Sequence, residues 1–397
     1  IAGGYTQNGG TGTSTGTIQV GGALDINGGT FANDAGGTLT ATSLSTAAGA
    51  TFSNAGTAST TAGLANAGTL SNTAVTVNAN GGALNAAVVN DSTFNVGGTV
   101  TGNSTFDNNA GGTLAIAAAG NYSGLTTLTN AGAVTLAAGG RLAAASYVQN
   151  GTGTLANVGG SVSTTGDYTQ NGGTGLNTGL GASTGALEVG GTFALNGGTF
   201  DNNAGGTLTA GSFTTATGTR LSNAGTVASK GGMTNAGTLS NTAGTLTLAG
   251  RVGQRTGVGL NLSGGTLTAI AGFANAGTLS LTGGTLTGGT LTNTNTVNAN
   301  GGALNAAVVN SAGFNVGGSV TGNSTFDNAT GGTLSVSASG SYTGLTAITN
   351  AATVTIATGG RLGGDSYTQS AGTTTNNGAI TLAGAMAIHG GTLTTTG

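Results

Sequence analysis

Side chains able to do acid–base, nucleophilic or metal chemistry are few in this chain. Nine carboxylates stand at Asp25, Asp34, Asp91, Asp107, Asp167, Glu188, Asp201, Asp327 and Asp365. Glycoside cleavage needs two carboxyl groups within roughly 5–10 Å of each other, and no acidic cluster shows along the sequence. Asp107, Asp201 and Asp327 each follow a phenylalanine, Phe106, Phe200 and Phe326, in the string Phe-Asp-Asn. That recurrence reads as architecture, with the carboxylate capping a turn. His389 is the single histidine, so there is no histidine pair for a metal and no spare base for a serine triad. Its place in LAGAMAIHGGT is held by Asn27 in VGGALDINGGT and by Asn196 in VGGTFALNGGT, so His389 reads as a substitute for a corner asparagine. Cysteine is absent, which removes thiolate sites and disulfides alike. The regular aspartates of calcium-binding nonapeptide solenoids are also missing. The expectation is a non-enzyme with no cofactor and no bound metal.

The elements that would position these few groups are written in the composition. Glycine fills 84 of 397 positions and proline none, while 37% of residues are hydrophobic and only 4% charged. Disordered chains show the opposite balance of low hydrophobicity and high charge. Glycine used this often implies many recurring tight corners. Proline would delete a ladder donor in a continuous sheet. A net charge of −3 gives no electrostatic footprint for nucleic acid or an anionic membrane. No run is long and apolar enough to span a bilayer, and alternating aromatic-girdled barrel segments are missing, so no direct membrane insertion is expected. A start at Ile1 without a signal-like segment is expected of a processed product or a fragment.

Repetition exists at two scales. TVNANGGALNAAVVN at 76–90 recurs unchanged at 296–310, and TGNSTFDN at 101–108 recurs at 321–328. Segment 76–150 thus resembles 296–370. YTQNGGTG at 5–12 returns at 168–175 and NAGTLSNTA at 66–74 returns at 235–243, so 5–74 resembles 168–243, and a partial third unit occupies 366–397. Within these units a Gly-Thr-Leu-like motif steps by roughly twenty residues through Gly112, Gly132, Gly153, Gly173 and Gly191, a spacing typical of solenoid repeats. Any receptor site confined to 76–108 should therefore be duplicated in 296–328.

Strand-like pieces are short: 38–42, 74–78, 113–117, 133–137, 245–249 and 353–357. Each alternates Leu, Val or Ile with Thr, Ser or Ala, the period of a half-buried strand, and Asn-Gly, Gly-Gly and Asn-Ala-Gly punctuate them. Stacked turns of about twenty residues would pair such strands in parallel at a spacing of about 4.8 Å, giving a rod of order 95 Å. Corner asparagine suits plain turn propensity, and it suits stacked amide ladders, in which its recurrence gains a use. The recurrent tyrosines, including Tyr5, Tyr168 and Tyr367, suit a packed aromatic column or an exposed sugar-binding stripe, the column being favoured. Thr-Leu-Thr triplets at seven places suit a soluble strand former or an ice-binding lattice, and their irregular spacing favours the former. Arg251 and Arg255 mark a solvated turn or a partner-contacting loop.

The strings GGTLT, NAGTLSN, NAGTVAS and NGGTF resemble the passenger regions of autotransporter and two-partner-secreted bacterial adhesins of the filamentous-haemagglutinin type. The resemblance runs over nearly the whole chain and implies an all-β, right-handed parallel β-helix over 1–397, exported to the bacterial cell surface. It implies an adhesin or filament-forming protein whose partners are further copies of itself or surface glycans and proteins. A purely structural fibre or surface-layer component is the alternative. A polysaccharide-degrading β-helix enzyme or an ice-binding solenoid ranks below both.

Overall fold

A computed structural model describes residues 1–74, 76–181 and 184–396. Among them the chain is all strand and corner, with no helix. The architecture is a parallel β-solenoid of stacked coils, as the alternation and repeat length predict. It falls into two compact units, Ile1–Thr209 and Ala210–Gly397.

In the first unit each coil has three sides, and each side stacks into its own parallel sheet. Side A runs through Thr11–Ser14, Thr30–Asn33, Thr51–Asn54, Thr69–Asn72, Val88–Asn90 and Thr105–Asn108, then 127–130, 147–149, Tyr168–Gln170 and 193–195. Side B carries 93–96, Thr113–Ile116, Ala133–Leu136, Thr154–Val158, Thr174–Thr178 and Thr199–Asn202, preceded by 17–20, 38–41, 57–60 and 76–79. Side C begins at Tyr5–Gln7 and passes through 24–26, 44–46, 99–101, Ser161–Thr164 and 186–189.

The four-residue strand is the unit of this fold. Thr105–Asn108 and Thr113–Ile116 both alternate half-buried and buried positions, because successive side chains in a strand point to opposite faces. The pieces at 38–42, 113–117, 133–137, 245–249 and 353–357 all form strands. The piece at 74–78 forms from Thr76 onward, and its Val75 lies outside the described residues. Leu, Val and Phe fill the inward column on side A, where Phe31, Phe52, Leu70, Val88 and Phe106 are all buried.

The glycine motif marks a real column with one correction. Thr174 and Thr199 donate to the carbonyls of Gly153 and Gly173, and a Cβ on Gly173 or Gly198 would fall on the carbonyl oxygen of the glycine one coil earlier. Both have positive φ, 70° and 73°, so glycine is required twice over. The column continues to Gly198 rather than Gly191, which instead bonds to Gly166. The reason is coil length: the coil between Asn177 and Asn202 takes 25 residues, against 18 between Asn54 and Asn72.

The duplicated strings expose a second consequence of coil length. Tyr5–Gln7 lies on side C and Gly12 on side A. In the copy, Tyr168–Gln170 lies on side A and Gly175 on side B. The pair 24–26 and 193–195 shows the same advance, from side C to side A. A repeat that does not span a whole number of coils returns its sequence on the next side.

The second unit repeats the three-sided plan. One sheet holds Met233–Asn235, Val252–Gln254, Phe273–Asn275, Leu291–Asn293, Val308–Asn310, Thr325–Asn328, Ala347–Asn350 and Tyr367–Gln369. A second holds Thr278–Leu281, 296–299, 313–316, Thr333–Val336 and Thr353–Ile356. The third stacks Thr226–Ser229, Thr245–Leu248, Thr266–Ala269 and Thr285–Gly288.

Candidate functional surface

Of the polar groups singled out by sequence, the tyrosines mostly face the interior, whereas the aspartates, the corner asparagines and His389 face outward. On side A the buried asparagines form a continuous amide ladder, Asn33 donating to Asn54 at 2.8 Å, Asn54 to Asn72 at 2.9 Å, Asn72 to Asn90 at 2.7 Å, Asn90 to Asn108 at 2.7 Å and Asn108 to Asn130 at 2.8 Å. The second unit has its own, Asn275, Asn293, Asn310, Asn328 and Asn350. A second amide proton often goes to backbone: Asn90 reaches the Thr113 carbonyl and Asn108 that of Ala133. Stacking thus satisfies an amide that burial would otherwise leave costly.

The corner asparagines of the sequence reading form a different, exposed ladder. Asn27 donates to Asn8 at 3.0 Å, and Asn196 to Asn171, which donates to Asn150. The backbone N–H of Asn27, Asn196 and His389 each donates to a glutamine carbonyl one coil earlier, Gln7, Gln170 and Gln369. His389 therefore holds the asparagine position, exposed at a corner.

Turn capping by Asp107, Asp201 and Asp327 is overturned. Each lies mid-strand and faces outward, in Thr105–Asn108, Thr199–Asn202 and Thr325–Asn328. Strand alternation sends Phe106, Phe200 and Phe326 inward together with the following asparagine, and that asparagine serves the corner. Asp327 accepts a 2.6 Å bond from Thr349. Asp107 is on side A and Asp201 on side B, so these carboxylates do not converge.

The tyrosines pack inside. Tyr147, Tyr168 and Phe193 stack at 4.9 Å spacings, Tyr342 and Tyr367 are buried, and Tyr5 is half-buried against Phe31. Burial pushes the phenols of Tyr122, Tyr147, Tyr168 and Tyr342 far up, and that of Tyr367 up. Tyr147 and Tyr168 each donate to the glutamine two residues on, at 3.3 Å, whereas the hydroxyl of Tyr367 pairs with that of Thr374. Tyr122 and Tyr342 lack that glutamine, and their hydroxyls have no protein partner.

Outward threonines are more regular in space than in sequence. Thr245, Thr266 and Thr285 stack in register, as do Thr247, Thr268 and Thr287. Both ranks end at the next coil, on Ala303 and Asn305. Arg251 and Arg255 flank the strand Val252–Gln254, both exposed.

What sequence reasoning missed is a groove on the outside of side B. It encloses about 620 Å3 and crosses six strands, from Ser59 through Asn78, Asn95, Ala115 and Thr135 to Ala156. Asn80, Gly97, Ala117, Ala137 and Val158 form its second flank. At one end Asn95 donates to Asn78 at 2.8 Å and Asn80 to the Thr60 carbonyl at 2.7 Å. The Asn78 Nδ2 donor and the Asn80 and Asn95 Oδ1 acceptors have no protein partner. Toward the other end the lining turns to alanine, and no charged residue lines any of it.

The second unit carries a different corner beside the same asparagines. Its copies of Asn78, Asn80 and Asn95 are Asn298, Asn300 and Asn315, and Asn315 again donates to Asn298, at 3.0 Å. The corner 117–120, Ala-Ala-Ala-Gly, is Ser-Ala-Ser-Gly at 337–340. There Ser339 reaches back to the Gly317 carbonyl at 3.0 Å and lies 3.4 Å from Ser337. Ala119 has no hydroxyl with which to make that tie. The signal in the sequence was this divergence at one corner of a copied segment.

The fold defines a protein of the parallel β-solenoid class. The chain matches no family model, no curated protein and no solved structure.

Proposed function

We propose that this chain belongs to an extracellular bacterial surface protein and acts without catalysis, as an adhesive or filament-building element. Its partners are surface glycans or proteins, or further copies of itself. The observation that carries the reading is the repetition of the outer face. Thr17, Thr38, Thr57, Thr76, Thr93 and Thr113 form one outward rank on side B, coil after coil.

A chain in which only 4% of residues are charged offers little like-charge repulsion to an approaching copy or cell. Equivalent weak contacts repeated along such a surface add by multivalency, with avidity gains of about 10²–10⁴. The adhesin-like strings GGTLT and NAGTLSN favour export and display. A structural fibre or surface layer is the second reading, favoured by the in-register Thr245–Thr266–Thr285 and Thr247–Thr268–Thr287 ranks, which suit side-by-side alignment. Deleting residues 1–397 in the producing cells tests the adhesive reading: cell aggregation should be lost, and unchanged aggregation would sink it.

A further inference from the structure

We propose that the groove on side B of the first unit is a binding site for one uncharged oligosaccharide chain, lying along the stack of coils across the strands. The proposal rests on the adhesive reading for its biological setting and on the groove's own chemistry for its ligand.

Length and direction come first. Six adjacent strands contribute to the lining, and at about 4.8 Å per strand the groove extends about 24 Å. Its occupant is an extended polymer rather than a compact metabolite. An extended peptide added as a further strand is disfavoured, because that mode of recognition uses a free sheet edge. The strands under the groove already pair on both sides, for example Thr113–Ile116 with 93–96 and with Ala133–Leu136.

Charge decides the next step. No Lys, Arg, Asp or Glu lines the groove, so a sulfated or carboxylated chain would lose its hydration without gaining a counter-charge. An uncharged ligand must still satisfy the asparagine end, where one amide donor and two amide acceptors stand unpaired beside Ser59. Sugar hydroxyls, each able to donate and accept, meet that mixed set. The alanine stretch of Ala115, Ala117, Ala137 and Ala156 offers methyl groups and room to the apolar C–H faces of the same rings. Mostly apolar walls with a few placed polar groups are the usual make-up of a small-molecule site.

The second unit is a built-in control. It keeps the asparagine end but replaces Ala115, Ala117 and Ala119 with Ser335, Ser337 and Ser339, and Ser339 donates to the carbonyl of Gly317, the counterpart of the lining residue Gly97. One site per chain is the expected outcome. The asparagines within 76–108 are duplicated, whereas the groove depends on residues beyond them, where the copies differ.

The test is titration calorimetry of the full chain with chitohexaose, cellohexaose and, as the anionic comparison, a heparin hexasaccharide. The key variant is A117S/A119S, which installs the hydroxyls that the second unit tolerates at the same corner. Expected is saturable one-to-one binding of a neutral hexasaccharide, insensitive to added salt, weakened at least about tenfold in A117S/A119S, a loss of about 1.4 kcal/mol. Absence of binding by both neutral sugars, two-to-one binding, salt-sensitive binding of heparin alone, or an unchanged affinity in A117S/A119S would each overturn the site. Those outcomes leave the adhesive reading standing, since that is judged by cell aggregation.

Discussion

Residues 76–150 and 296–370 are copies that differ at 23 of 75 positions, and the differences fall unevenly between inside and outside. Inside, the two agree closely. Phe106 packs edge-on to Phe94 and Tyr122, as Phe326 does to Phe314 and Tyr342, with centroid distances between 5.0 and 5.8 Å. Asn90 and Asn310 sit at the same rung of their ladders. Outside, Ala115, Ala117 and Ala119 are replaced in the copy by Ser335, Ser337 and Ser339, and Ser339 bonds back to Gly317. A close-packed interior resists change, whereas an outward corner position alters the surface at little cost.

Alkaline pH should separate the units most strongly. An unfolded phenol ionises near pH 10, and a buried one held above that range stays neutral, so the folded state binds more protons and stability falls as pH rises past about 10. The first unit holds three strongly raised phenols, Tyr122, Tyr147 and Tyr168, against Tyr342 and the less shifted Tyr367 in the second. Three such phenols cost about 4 kcal/mol per pH unit above that point. Tyrosinate absorbance and loss of β circular dichroism should rise together, and Tyr147→Phe with Tyr168→Phe should move the alkaline midpoint upward. Tyrosinate appearing without unfolding would contradict the buried column.

Core truncation should treat the copies alike. Phe106→Ala and Phe326→Ala are each expected to cost about 3–5 kcal/mol, measured by denaturant unfolding. A clear difference between them would show that the two cores are not equivalent. Asn90→Ala and Asn310→Ala come next. Each removes one rung and leaves a neighbouring amide short of a partner, at about 1–3 kcal/mol per orphaned group, again equally in both copies.

Ser339→Ala is the smallest and the sharpest. Losing one exposed hydroxyl bond should cost no more than about 1 kcal/mol, while removing the tie to Gly317. If the bridged corner is what closes the second unit, S339A together with S337A should raise the number of neutral hexasaccharides bound from one to two per chain.

Some of this was legible before any coordinates. The alternation of Leu, Val or Ile with Thr or Ala in Thr113–Ile116 and Thr353–Ile356, the glycine corners and the repeat of about twenty residues all specify parallel stacked coils, because each acts over a few neighbouring residues. The tyrosine column and the asparagine ladder were also readable as kinds of packing. Asp107, Asp201 and Asp327 were misplaced because a carboxylate beside an asparagine looks like a turn, and only strand register shows which of the two enters the corner.

What the sequence determined by itself is therefore local: strand, corner, inward and outward. Tertiary structure alone decided which side each repeat occupies, since coil lengths from 17 to 22 residues accumulate before the copy is reached and move Tyr168 one side on from Tyr5. It also decided that Asn27 lies outside while Asn33 lies within, and that the corner at Ala117 stays open. Each of these depends on a neighbour one coil away, brought into contact by stacking rather than by sequence.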